Sequence, residues 1–222
     1  MRSTPSLTPR RGFLGGIAAG AAALIAGRFS SAEAEALVSL EPPPVGDEFL
    51  TKIKGQYKQV FDCVEPNDGW GPAFVLNFMD STEQAKKITD KDVTGIAVMR
   101  HMAMPLVLND AMWAKYKIGE MITVKDPKTN APATRNIFHN NIFMRPGLTY
   151  EQAIANRGLV MVACNLALTV LSEMAGKKVG VAAEQAKKDW EAGLLKGVYL
   201  APSGVYAVNR AQQAGCSYCY GG

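Results

Sequence analysis

Three short runs in this chain are apolar almost from end to end: Val93-Thr94-Gly95-Ile96-Ala97-Val98-Met99, Gly158-Leu159-Val160-Met161-Val162-Ala163 and Gly197-Val198-Tyr199-Leu200-Ala201. A strand with no polar face must be covered on both sides, as in a parallel sheet between layers of helix. An earlier run, Lys58–Val64, reads as a further strand, closed by the turn residues Pro66-Asn67-Asp68-Gly69. Helical spacing fills the intervals. Gly71 to about Lys87 carries Phe74, Phe78 and Ala85 on one face, and Pro105–Lys117 has Asn109-Asp110 on its polar face. Further helices are expected from Thr149-Tyr150-Glu151, over Leu166–Met174 and Ala182–Leu194, and from Pro202-Ser203-Gly204 to Gln213. Gly215 stops the last of these, and Cys216–Tyr220 reads as a final short strand. Residues 119–145 interrupt the rhythm as an irregular insert around the turn-rich Lys125–Pro132. The expectation is a three-layer α/β domain over residues 57–222, with a mainly parallel sheet of four or five strands.

The N-terminus follows another logic. Arg2 and the pair Arg10-Arg11 precede Gly12-Phe13-Leu14, an Ala/Gly-rich run reaches Gly27, and Ser30-Ser31-Ala32-Glu33-Ala34-Glu35-Ala36 follows. Charged start, weakly apolar middle and small-residue cleavage site are the layout of an export signal, and the adjacent arginines are the twin-arginine signature. The apolar part is shorter than the roughly 20 residues of a membrane span. Residues 1–36 are therefore read as a twin-arginine signal directing the protein to the periplasm, with cleavage after Ala32, Ala34 or Ala36. Residues 37–56, with Glu41-Pro42-Pro43-Pro44, read as an extended lead-in. No later stretch is apolar enough to span a bilayer.

Without residues 1–36 the chain keeps 20 basic against 18 acidic residues. No dense basic stripe survives, which argues against a nucleic-acid partner.

In sheets of this kind functional groups gather beyond the carboxyl ends of the strands. That rule selects Cys63 to Asn67, Arg100-His101-Met102, Cys164-Asn165 and Ala201-Pro202-Ser203. Cys164 lies between a strand and a helix, where free N–H groups favour a thiolate. His101 ends a neighbouring strand and could assist it. Cys216-Ser217-Tyr218-Cys219 is a Cys-x-x-Cys, the spacing of a dithiol or a metal half-site. Four cysteines in an exported chain also admit a disulfide reading. No phosphate loop, nucleophile elbow or His-Glu-x-x-His is present in the sequence.

The order of several short motifs resembles the DsrE/DsrF-like family. They are the first strand with Asn67-Asp68-Gly69-Trp70, then Val98-Met99-Arg100-His101, then Val160–Asn165, and Gly197–Val205 through Gln212-Gln213-Ala214-Gly215. The resemblance implies a YchN-like fold, assembly into trimers or hexamers, and sulfur handling through a persulfide on the cysteine corresponding to Cys164. The Cys-x-x-Cys tail and the length of the insert are departures from it.

The leading expectation is a periplasmic sulfur carrier or sulfurtransferase-like protein. It would hold sulfane sulfur on Cys164, aided by His101, and exchange it with a donor or acceptor protein or a small polysulfide. Cys216 and Cys219 would form a second thiol site, and no cofactor is expected. The alternative is a metal- or ligand-binding module, for copper or iron, built from His101, Cys164, Cys216 and Cys219.

Overall fold

The computed structural model describes residues 45–222. The signal read over residues 1–36, with Arg10 and Arg11, and the prolines of the lead-in lie outside the described residues.

The domain is α/β with five parallel strands. These are β1 (Tyr57–Cys63), β2 (Val93–Met99), β3 (Val160–Cys164), β4 (Tyr199–Ala201) and β5 (Ser217–Tyr220), in the spatial order β4-β3-β2-β1-β5. β2 is buried along its whole length. Alternate residues of the central strands enter two separate cores. Phe61, Ala97, Met99, Met161 and Ala163 join the larger core, whereas Val60, Ile96, Val98, Val160 and Val162 join the smaller.

The larger core is covered by α1 (Trp70–Lys86), α2 (Asp110–Lys115), α3 (Ile118–Met121), α4 (Tyr150–Arg157), α5 (Asn165–Val179) and α6 (Ala183–Ala192). The smaller is covered by α7 (Gly204–Gln213), through Ala207 and Ala211, and by Phe49 of the lead-in. The expected three layers are present, one thicker than the other.

Several local expectations are corrected. The described end of the lead-in is not extended throughout, because Glu48–Lys52 forms a 3-10 helix. Asp47 fastens it, accepting from Arg210 Nε (2.9 Å) and Tyr206 Oη (2.9 Å) on α7. In α1 the buried face is Ala73, Val75, Leu76 and Met79, while Phe74 is exposed against Trp70. The glycine in β2 explains the choice of face. A Cβ on Gly95 would lie 2.4 Å from Val75 Cγ1, so only glycine lets α1 sit this close to the sheet. The segment expected as one helix from Pro105 to Lys117 is two pieces, a 3-10 helix over His101–Val107 and then α2. Asn109 starts the second by accepting the Met112 N–H at 3.1 Å, so it is a cap and not part of a polar helical face.

The insert is irregular but anchored. Asn136 is fully buried, and its Nδ2 donates to the Leu106 and Leu108 carbonyls at 2.7 and 2.8 Å. His139 is also buried there, with Nε2 3.2 Å from Asp110 Oδ1. Among the described residues no helix is long and apolar enough to cross a membrane.

Candidate functional site

The carboxyl ends of β2 and β3 and the first turns of α5 and α7 enclose a groove of about 460 Å³. Its floor and walls are mostly apolar: Met102, Leu166, Ala167, Val170, Leu171, Met174 and Val205. Arg100, His101, Cys164, Ser203 and Gly204 complete it. Leu166, Val170, Met174 and Val205 are exposed large hydrophobic residues, so the groove adjoins an unusually apolar stretch of surface.

Cys164 is the residue before α5 and acts as its N-cap, with Sγ accepting the Ala167 N–H at 3.3 Å. Its backbone is extended (φ −84°, ψ 110°), which turns the chain from strand to helix and leaves the sulfur facing the helix's free N–H groups. The residue is 5% exposed. The sulfur thus meets one N–H donor at the N-terminus of a 15-residue helix and shares its groove with a guanidinium.

That guanidinium belongs to Arg100, and three strand ends fix it. Its Nε donates to Asp62 Oδ1 at 2.6 Å and its Nη2 to Asp62 Oδ2 at 2.9 Å, while Tyr218 Oη donates to Asp62 Oδ2 at 3.2 Å. The hydrogen bonds it donates to Asp62 push the Arg100 pKa further above its ordinary range, with burial opposing. Burial, together with Asp62, raises the Tyr218 hydroxyl. The aliphatic stem of Arg100 runs against the first turn of α7. A Cβ on Gly204 would come within 2.5 Å of Arg100 Cβ, so the missing side chain makes room for it.

His101 reaches the same groove, as the sequence suggested, but its ring is engaged elsewhere. Nδ1 lies 3.0 Å from Glu65 Oε1, with both side chains more than half exposed. Its φ of 49° places it in the left-handed region, uncommon for a residue with a side chain.

The tail cysteines, expected as a second thiol site, are not brought together. Cys216 is buried in the smaller core beneath α7, whereas Cys219 packs against the larger core on the opposite face of the sheet. The cause is periodicity: residues three apart in extended chain point to opposite faces. β5 is also three strand spacings from β3, about 14 Å, which keeps the tail apart from Cys164. Burial raises the Cys216 thiol, with Lys58 opposing. Burial pushes the Cys63 thiol up to about 12, with Asp62 and Cys219 adding to the shift. All four cysteines are free thiols.

The alternative ligand set of His101, Cys164, Cys216 and Cys219 is likewise not brought together. Among the described residues no cluster of three or more His, Cys, Asp or Glu side chains is placed to hold a metal ion.

Sequence reasoning selected Cys164 and His101 but passed over Asp62 and Tyr218, and it placed Arg100 at a strand end without a role. The available signal was that Asp62 lies in the buried second half of β1 and Arg100 directly follows the buried β2, each a charged residue at a strand tail.

Comparison with protein families and with curated proteins gives no match. Among solved structures the chain is similar to a protein of unknown function, MTH1491 from Methanobacterium thermoautotrophicum. The identity is 15% over 74% of this chain and 99% of that one, with a TM-score of 0.35.

Proposed function

We propose that this protein is a sulfur carrier that holds sulfane sulfur as a persulfide on Cys164 and passes it to a partner. The observation that carries the reading is the position of one thiol. Cys164 caps α5, accepts a backbone N–H, and shares a mostly apolar groove with a fixed guanidinium. A thiolate there attacks the outer sulfur of a persulfide or polysulfide. The new bond joins Sγ to that sulfur, the donor's S–S bond breaks, and its electron pair leaves with the remaining donor. No external oxidant or reductant is consumed. Arg100 faces the negative charge shared along the three sulfurs, and the apolar walls limit water around the product.

The resemblance of Val160–Asn165 and its companion segments to the DsrE/DsrF-like family supports the same reading. With it come two further proposals: export to the periplasm through the segment containing Arg10 and Arg11, and assembly into a homotrimer or homohexamer.

Cyanolysis tests the assignment. Protein treated with polysulfide and desalted releases thiocyanate on addition of cyanide, about one equivalent per chain by the one-site stoichiometry of thiol exchange. The Cys164→Ser variant releases none. Equal release from both proteins refutes Cys164 as the carrier.

A further inference from the structure

The groove itself narrows the class of donor. Leu166, Val170 and Met174 stand at successive i, i+4 positions of α5, forming an apolar rail about 12 Å long from the helical rise. Cys164 lies at its N-terminal end, and Val205 and Met102 border the same groove. Leu166, Val170, Met174 and Val205 are 61%, 47%, 47% and 64% exposed, so the rail is an open trough and not part of the core. The charge in it is equally definite. Among the titratable groups near Cys164, Asp62 on β1 is engaged by Arg100 and by Tyr218 of β5, and His101 faces Glu65. α5 has no acidic residue in its first turn, nor has α7. Asp62 occupies Nε and Nη2 of Arg100, and among the described residues nothing accepts from Nη1. The groove thus offers one cation at its polar end and an unbranched apolar track leading away.

We propose that the donor is an organic hydropersulfide with an unbranched apolar substituent, its sulfur end between Cys164 and Arg100 and its hydrocarbon along Leu166, Val170 and Met174. This rests on the sulfur-carrier reading and adds the donor's chemistry to it. The step balances. The Cys164 thiolate attacks the outer sulfur of R–S–SH, the Sγ–S bond forms, the donor S–S bond breaks, and the electron pair leaves on R–S⁻. The proton stays with the transferred sulfur, giving Cys164–S–SH. One negative charge is spread over three sulfurs during transfer, and Arg100 lies at that end. A hydrophilic donor such as a charged peptide persulfide would leave the trough wet and the apolar side chains uncovered, so it gains nothing from the track.

The test is a homologous series of n-alkyl hydropersulfides from ethyl to octyl, with inorganic polysulfide alongside, reading the added sulfur on Cys164 by mass. The KM falls about two- to fourfold per added methylene, as burial of each CH₂ dictates, and levels off once the chain exceeds the trough. Val170→Asp flattens the series, with folding checked by circular dichroism. A second measurement uses unreactive n-alkyl sulfonates, which place an anion at the end of the groove where negative charge is spread during transfer, to protect Cys164 from iodoacetamide. Half-protection shifts by the same factor per methylene. Arg100→Met weakens every sulfonate alike, whereas Val170→Asp weakens the long ones most. Sulfur uptake from inorganic polysulfide together with no chain-length dependence in either series overturns the donor assignment and leaves the carrier standing. No uptake from any donor overturns both.

Discussion

Asp62 holds Arg100 at two points, Oδ1 to Nε at 2.6 Å and Oδ2 to Nη2 at 2.9 Å, and so joins the end of β1 to the mouth of the groove that contains Cys164. The Asp62 side chain is 8% exposed and that of Arg100 27%, so the pair is screened less than a surface salt bridge. Tyr218 bonds the same carboxylate from β5. The reactive end of the groove is therefore set by residues from four adjacent strands.

Removing the guanidinium should slow the thiol. Arg100→Met is expected to reduce the rate of Cys164 alkylation by iodoacetamide at pH 7 by about three- to tenfold, the effect of losing one nearby partly solvated positive charge. Asp62→Ala should raise the rate, since it removes the carboxylate that offsets this charge, and cost about 2 kcal/mol of stability in urea unfolding, since it leaves Arg100 without its partner. Unchanged alkylation in both variants would separate Arg100 from the thiol.

Alkaline stability follows from Cys63. Its folded pKa is raised from 9.0 to about 12, so the folded state holds the thiol proton more tightly than the unfolded chain. The associated stability is complete below about pH 9 and is lost as pH rises toward 12. Tyr116 and Tyr150 are raised as well, chiefly by burial, and act in the same direction. Stability measured by urea unfolding should fall above pH 9, less steeply in Cys63→Ala. A profile that stays flat to pH 11 contradicts the assignment.

Thiol mapping of the folded protein should label Cys219, which is partly exposed, and spare Cys216 and Cys63 until the chain is unfolded. Mild oxidation should give no bond between Cys216 and Cys219, because they face opposite sides of the sheet. A Cys216→Ser, Cys219→Ser double variant should take up as much sulfur as the parent protein.

The strands were legible because runs such as Val93–Met99 are apolar on both faces, a pattern that suits a covered parallel strand. Cys164 and His101 were legible from the rule that strand tails carry function, and both line the groove. The Asp62–Arg100–Tyr218 arrangement was not. Asp62 and Tyr218 are 156 positions apart, and only the placement of β5 beside β1 brings them together. The Cys-x-x-Cys misled for a related reason. Its spacing suggests one shared site, but the run is a strand, and extended backbone divides residues three apart between two faces. Phe78 does pack against the larger core, but the rest of the buried face of α1 differs from the expected one, because Phe74 outweighs Ala73 in size while the close approach at Gly95 admits Val75.

Export is testable apart from the chemistry. Replacing Arg10 and Arg11 with lysines should keep the protein in the cytoplasm, whereas fractionation should place the parent in the periplasm, and light scattering of the mature protein should give a trimer or hexamer. Normal export of the variant refutes the twin-arginine reading, and a monomer refutes the assembly.

The most direct measurement of the central claim is the intact mass of the folded protein after incubation with polysulfide, followed by peptide mapping without reductant. The account predicts a gain of about 32 Da, one sulfur atom, located on Cys164, with none in Cys164→Ser. No gain in the parent protein, or the same gain in Cys164→Ser, would contradict it.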